Sequence, residues 1–570
     1  MKSSHTRYLC LFLSVCVVLP LTPTVFPASK DPVRGRKGMV VSADEFASRV
    51  GIEILKKGGN AVDAAVAVGF TLAVTFPQAG NIGGGGFMVI RMADGRTTTI
   101  DYREKAPAAA HRDMYLDEAG NFVSAKSEMG HLSAGVPGSV AGLLYALEKY
   151  GTRRREQVMQ PAIDFAERGF PVSYRLAGSL KEDLEKLSMF PATKKIFTKN
   201  GTAYEEGDIL VQRDLAETLK RIQRLGRDGF YKGRTADLIV REMQRGGGLI
   251  THADLESYQP VERPPILGSY RGYEIVSIGP PSSGGIALVQ LLNLLEGFDL
   301  RATGFGSSKT IALMAEAMKL VYADRAQYLG DSDFYPVPIE KLISKEYAAE
   351  RRRLIDTVKA TPSSQVAHGS VEIREGSETT HYSIVDRWGN AVSVTTTINS
   401  WFGSFVVVEG AGFLLNNEMD DFSAKPGVPN QYGLLGGEAN AIEPGKRMLS
   451  AMTPTIVLKD QKPFLLVGSP GGSTIITTVL QVITNVIDFG MHIQEAIDAP
   501  RIHHQWYPDT LMYEKRGMVV DVLENLKRRG YALRERDGYQ GRAEGIVIDA
   551  ERGLYLGATD PRGYGSAIGY

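Results

Sequence analysis

Thr379 and Thr380 open the run Thr379-Thr380-His381-Tyr382-Ser383, whose alternation reads as the start of a β-strand. Two threonines at a strand start are ordinary structural residues. Their position is less ordinary. Residues 359–378 just before them are polar, carry Pro362, Gly369 and Gly376, and show no periodicity, which is the pattern of a long open loop. A backbone cut before Thr379 would place a free α-amine beside the threonine hydroxyl. Such an amine has a pKa of about 7.7–8.0, suited to a general base at neutral pH. A threonine carrying its own amine is nucleophile and base in one residue. The hydroxyl needs a partner to orient it, and Thr395, Thr396 and Thr397 lie one hairpin away. The chemistry also needs an oxyanion hole. Ser469-Pro470-Gly471-Gly472 opens a predicted helix, where unpaired backbone N–H groups and the helix dipole favour negative charge.

Two other motifs read as structural. A phosphate-cradling glycine loop follows a strand and opens a helix, but Gly83-Gly84-Gly85-Gly86 has a predicted helix before it and a strand after it. No Gly-Lys-Ser/Thr accompanies it, so close backbone packing is the better reading. The adjacent His503 and His504 point apart in either helix or strand, and no carboxylate cluster lies near them in sequence. No metal and no cofactor is expected.

The elements that must position these residues follow from periodicity and turn chemistry. Ser42-Ala43-Asp44-Glu45 reads as a capping box with Ser42 as N-cap, opening a helix that ends at Lys57-Gly58-Gly59. A nearly all-apolar helix spans 60–76 and stops at Pro77. Strands at 87–91 and 97–103 flank an Asp94-Gly95 turn. Residues 137–355 are mostly helical, with a strand near 273–277. After the open loop, hairpins are predicted at 381–386 with 391–398 and at 455–459 with 463–468, and a helix at 473–489. Hairpins between runs of helices suggest antiparallel sheets packed between helix layers, an α+β architecture.

Composition narrows the setting. Of 570 residues, 43% are hydrophobic and 23% charged, with Lys+Arg and Asp+Glu both 65. A binder of nucleic-acid phosphates needs a basic excess, so no nucleic-acid partner is expected. Lys2, His5 and Arg7 precede an apolar run at 8–21, followed by small residues to Ser29. Residues 1–29 therefore read as a secretory signal peptide, because the run is shorter than the ~20 residues of a span. The expected location is periplasmic or secreted, with no membrane anchor after signal removal. Both cysteines, Cys10 and Cys16, fall in that segment. The mature chain then has no thiol, and its nucleophile must be Ser, Thr, Lys or a carboxylate.

The sequence resembles the γ-glutamyltranspeptidases, glutathione hydrolases of the N-terminal-nucleophile hydrolase superfamily. The matching stretches are T-T-H-Y-S-I-V-D from Thr379, N-N-E-M-D-D-F from Asn416, P-G-V-P-N-Q-Y-G from Pro426, S-P-G-G-S from Ser469, D-Y-R-E from Asp101 and G-V-P-G-S from Gly135. The resemblance implies a four-layer αββα sandwich of two antiparallel sheets between helix layers. It also implies a precursor that cuts itself between Glu378 and Thr379, giving a heterodimer of a large subunit (30–378) and a small subunit (379–570). By motif match Thr379 is the nucleophile and Thr397 its hydrogen-bonding partner. Gly471 and Gly472 form the oxyanion hole. Arg103, helped by Ser450, holds the α-carboxylate of a γ-glutamyl substrate such as glutathione. Asn399, Glu418 and Asp421 hold its α-amino end, and Tyr432 belongs to a lid. A planar guanidinium suits the carboxylate and two acids suit the ammonium.

Three positions depart from the bacterial pattern. Ala451 stands where a second serine is common, which removes a charged hydrogen bond worth about 1.5–3 kcal/mol. Glu418 and Glu378 replace frequent glutamines. The rival readings are a glutaryl-cephalosporin acylase, a poly-γ-glutamate depolymerase and a catalytically dead exported binding protein on the same fold. A glutaryl group has no ammonium for Asp421, polymer-cleaving relatives lack or shorten the lid, and a dead protein would have lost Thr379 or the glycines.

Overall fold

The computed structural model describes residues 29–366, 379–425, 428, 434 and 436–570. The expected cleavage residue Glu378, the lid residue Tyr432 and all of the signal segment but Ser29 lie outside them.

Two seven-stranded sheets form the centre. The first runs, edge to edge, Ser566–Gly569, Gly38–Ser42, Thr380–Asp386, Ala391–Thr397, Gly85–Arg91, Thr97–Asp101 and Val261–Arg263. The second runs Val33–Gly35, Leu554–Thr559, Glu544–Asp549, Lys462–Gly468, Thr455–Lys459, Tyr273–Ser277 and Ile266–Tyr270. Every neighbouring pair in both is antiparallel. Met39, Val41, Val89 and Val385 of the first sheet pack on Val276, Ile456, Leu466 and Ile546 of the second. The outer face of the first sheet is covered by a core that includes the wholly buried helix Ala61–Thr75. Helices Gly284–Leu295, Ser308–Tyr328 and Ile475–Ile487 cover the second. This is the four-layer αββα sandwich.

The hairpins fall where alternation and turn residues place them. Asp460 and Gln461 both take positive φ, +50° and +63°, the pairing a tight two-residue hairpin turn requires. Asn60 caps helix Ala61–Thr75 in a reciprocal capping box with Asp63. Two boundaries differ from expectation. Helix Glu45–Lys56 is capped by Asp44, whose carboxylate accepts from Ala47 N at 2.9 Å, and not by Ser42. Ser42 is the last residue of a central strand, paired with both Tyr382 and Ser566, so its backbone is committed to the sheet. The helix expected from Ser473 starts at Ile475, preceded by a 3-10 turn at Gly472–Thr474. Gly471 and Gly472 take φ of +136° and +50°, and that left-handed kink delays the helix.

Candidate active site

Thr379 stands one residue before strand Thr380–Asp386. Thr380 pairs with Thr396, so continuing the register sets Thr379 opposite Thr397. Alternation turns Thr379, His381, Ser383 and Val385 toward the second sheet. His381 fixes the approach of that sheet. Its ring packs so closely on Gly468 that a Cβ there would lie 2.3 Å from it. Gly468 ends strand Lys462–Gly468, and the next residues form the Gly471-Gly472 turn, which is thereby delivered to the end of the strand that follows Thr379. His381 bonds Thr395 Oγ1 at 2.9 Å and Ser383 Oγ at 3.0 Å. Burial lowers its pKa to about 3, so it is a neutral packing residue.

The tetraglycine run braces the other side. A Cβ on Gly84 would lie 2.1 Å from Thr397 O, and one on Gly86 2.5 Å from Thr395 O. Only glycine permits this contact, as the close-packing reading expected. Asn81 Nδ2 donates to Thr397 O at 2.8 Å and its Oδ1 accepts from Gly84 N at 2.9 Å. Past Thr397 the chain turns sharply, with Asn399 at φ +73°. Asn399 N donates to Thr397 Oγ1 at 2.8 Å, and its side-chain amide donates to Asn417 O at 2.9 Å.

The opposite wall is ionic. Arg103 follows strand Thr97–Asp101 and is fully buried. Its Nη1 donates to Glu418 Oε1 at 2.6 Å, its Nη2 to Asp421, and its Nε to Met448 O at 3.3 Å. Glu418 and Asp421 lie on one 3-10 turn, Glu418–Asp421. Ser450 sits beside Ser282 in a parallel bridge, and its hydroxyl accepts from Met452 N at 3.0 Å.

One cavity brings together Arg103, Thr379, Thr397, Asn399, Glu418, Asp421, Ser450 and Gly472. Gly471 lies just outside it, on a neighbouring cleft. Thr379 also borders a second cavity of about 130 Å³, walled in part by Arg175, Trp401 and Arg542. The threonine thus stands between an ionic chamber and a second space on its other side.

A family model described as γ-glutamyltranspeptidase matches residues 47–570. The chain is 53% identical to a glutathione hydrolase proenzyme of Escherichia coli, over 96% of this chain and 95% of that protein. It is 38% identical to an acylase proenzyme of Pseudomonas sp., over 95% of each. Among solved structures, a cephalosporin acylase from Bacillus halodurans is similar with a TM-score of 0.83 and 28% identity, covering 97% of this chain and 99% of that one. The chain belongs to the γ-glutamyltranspeptidase family.

Around the chamber, two features lay beyond the sequence reading. The first is Glu104. Its carboxylate lies 3.6 Å from Arg103 Nη1, is fully buried, and neither oxygen has a hydrogen-bond partner among the described residues. Three carboxyl groups therefore share one guanidinium. Burial, with mutual repulsion, raises Glu104 to about 8 and holds Glu418 and Asp421 above the usual carboxylate range. Adjacency to Arg103 in D-Y-R-E was the available signal. The second is Arg325, from the middle of helix Ser308–Tyr328, for which the sequence offers no signal. His503 and His504, read as structural, are buried; His503 bonds Thr477 and Gln505, and His504 faces Asp509.

Proposed function

We propose that the chain is an exported, self-processing γ-glutamyl hydrolase and transferase acting on glutathione and related γ-glutamyl compounds. The observation that carries this is one cavity in which a strand-initial threonine faces a guanidinium and two carboxylates. That charge pattern matches a γ-glutamyl group, which bears a carboxylate and an ammonium a few bonds from its acyl carbon.

In the uncut chain the Thr379 hydroxyl attacks the carbonyl of Glu378. The peptide becomes an ester, and water cleaves it. This leaves a large piece, 30–378, a small piece, 379–570, and a free amine on Thr379. In turnover that amine takes the hydroxyl proton as Oγ attacks the γ-carbonyl. The oxyanion is met by backbone N–H groups of Gly471 and Gly472. The amine partner leaves with the proton, and a γ-glutamyl ester remains on Thr379. Water, or a second amine entering from the side of Arg175 and Arg542, then takes the acyl group. Thr397 orients the nucleophile. Arg103 and Ser450 hold the α-carboxylate, Asn399, Glu418 and Asp421 the ammonium, and Tyr432 closes the chamber. No cofactor is required. Among the described residues no helix is long and apolar enough to cross a membrane.

A glutaryl acylase on this fold would leave Glu418 and Asp421 facing a substrate without an ammonium. Such a substrate forgoes the charged hydrogen bonds that an ammonium would make to those acids, worth about 1.5–3 kcal/mol each, so glutaryl amides are expected to be poor substrates.

The test is a denaturing gel with a γ-glutamyl anilide assay. The native protein gives two bands, the smaller one beginning at Thr379, and releases aniline. Thr379→Ala stays as one chain and loses at least about a thousandfold in kcat/KM. A small piece with another first residue overturns the processing scheme, and native preference for glutaryl anilides overturns the substrate.

A further inference from the structure

The cavity beside Thr379 holds two buried guanidinium groups in unlike circumstances. Arg103 has its fork filled by the protein: Glu418 and Asp421 take its two terminal nitrogens, and Met448 O takes its Nε. Arg325 is also buried, at 4% exposure. Its Nε donates to the hydroxyl of Ser283 at 2.9 Å. Among the described residues no carboxylate lies within ion-pair distance of it, although Asp421 attracts it from farther away; Arg103 has three carboxylates within 4 Å. A charge taken out of water without a counter-charge is expensive. A fold of this size has many ways to bury a neutral residue there. A buried cation on the wall of a chamber, without a direct ion pair, is placed to receive a negative group.

The surroundings of Arg325 bear on the same point. Ser283 Oγ donates in turn to Ser450 O at 2.6 Å, and Ser283 N donates to the same oxygen at 2.8 Å. Arg325 is thus tied to the segment that carries Ser450. One turn earlier on the same helix, Tyr322 donates to Ser473 O, within the Gly472–Thr474 turn. One helix face therefore braces both the carboxylate side of the chamber and the turn beside the nucleophile.

We propose that Arg325 is a second recognition residue for the substrate's α-carboxylate, supplying the positive charge that Arg103 spends on Glu418 and Asp421. This rests on the γ-glutamyl reading above. An incoming γ-glutamyl group brings its own ammonium to Glu418 and Asp421 and its carboxylate to the space between Arg103, Arg325 and Ser450. Two guanidiniums and two acids then enclose one zwitterion. Arg325 discriminates substrates by the presence of the carboxylate and is indifferent to the ammonium.

The test uses the processed enzyme and three anilides: γ-glutamyl, glutaryl (no ammonium) and 4-aminobutyryl (no carboxylate). In Arg325→Gln, kcat/KM for the two carboxylate-bearing substrates falls tenfold or more, chiefly through KM. The 4-aminobutyryl anilide changes by no more than threefold. Asp421→Asn gives the mirror image, harming the two ammonium-bearing substrates more than the glutaryl one. Arg325→Lys keeps the charge and retains selectivity for the carboxylate. A merely structural Arg325 would lower all three substrates in the same proportion, and that result in Arg325→Gln overturns the proposal. If Arg325→Gln fails to fold, seen as failure to self-cleave, the Lys variant decides: it must keep the glutaryl to 4-aminobutyryl ratio of kcat/KM within threefold of native, and loss of that ratio despite the retained charge overturns the proposal. The function itself fails in a different way: the native enzyme would not prefer the γ-glutamyl anilide at all.

Discussion

The two ends of the catalytic chamber are built on opposite plans. At the threonine end no ion pair among the described residues sets the geometry. Thr379, Thr397 and the glycine turn are placed by strand register, by backbone packed on Gly84 and Gly86, and by a neutral buried histidine. At the clamp end almost everything is ionic: Arg103, Arg325, Glu418 and Asp421 line one pocket, with the buried Glu104 carboxylate beside Arg103. The first end depends on main-chain position to within a few tenths of an ångström, the second on charge balance. Damage at the first should therefore appear in kcat, and damage at the second in KM and pH dependence.

The largest departure is expected from Arg103→Ala. It leaves Glu418, Asp421 and Glu104 buried together without their guanidinium, and breaking a buried ion pair from one side costs about 3–5 kcal/mol. The KM for γ-glutamyl anilides should rise about a hundredfold, since charged hydrogen bonds are worth about 1.5–3 kcal/mol each. Self-cleavage, which uses no substrate, should survive wherever the protein folds. Steady-state kinetics beside a gel checks both. An unchanged KM would mean that the clamp does not touch the substrate.

Gly84→Ala probes the other end without altering any charge. The added methyl meets Thr397 O and must push the strand or the glycine loop aside, at about 1–3 kcal/mol. The expected result is a lower denaturation midpoint, slower self-cleavage and about a tenfold loss in kcat, with KM nearly constant. A change confined to KM would erase the contrast between the two ends.

The smallest effect, Glu104→Gln, concerns protons. Because the acids around Arg103 have raised pKa values, with Glu104 at about 8, the folded protein holds a proton there that the unfolded chain releases above the ordinary carboxylate range. Folding stability should therefore decline as pH rises toward 8. Binding of the substrate ammonium should improve over the same interval, as the cluster ionises. Removing the Glu104 charge lowers the pKa of its neighbours. The variant should show a flatter decline in stability and a rising limb of kcat/KM displaced to lower pH, with less than a tenfold change at the plateau. A pH profile from 5 to 9 with parallel denaturation curves reads both, and a limb displaced upward contradicts the shared-proton picture.

Much of this was legible in the sequence because it is local. The hairpins announce themselves through alternation and through Asp460-Gln461 and Asp94-Gly95, and helix Ala61–Thr75 through its cap and the proline after it. Thr379 stands out because a strand-like run follows a long unpatterned stretch. What was not legible depends on what arrives from elsewhere. Ser42 makes as good a cap as Asp44 on paper, until two neighbouring strands claim its backbone. The glycine turn before Ile475 looks like a helix start until its left-handed φ values are seen. Arg325 is one more basic residue in a 21-residue helix, and only packing reveals that it faces the same chamber as Thr379. Glu104 could be read as adjacent to Arg103, but the sharing of one guanidinium among three acids is a tertiary fact.

The strand order has a consequence for the two pieces that a cut before Thr379 would release. In the first sheet, Gly38–Ser42 from the large piece is sandwiched between Ser566–Gly569 and Thr380–Asp386 from the small one, and Ala391–Thr397 lies against Gly85–Arg91. In the second sheet, the small piece's block of four strands is flanked on both sides by strands of the large piece. The fragments are interlaced like the fingers of clasped hands, and separating them would tear open ladders in the middle of both sheets. Each orphan would expose long unpaired edges of the kind that aggregate. Cutting the chain therefore frees a chain end without freeing a subunit: the two halves share one folding history, and expressing them from separate messages should yield little that can be reassembled.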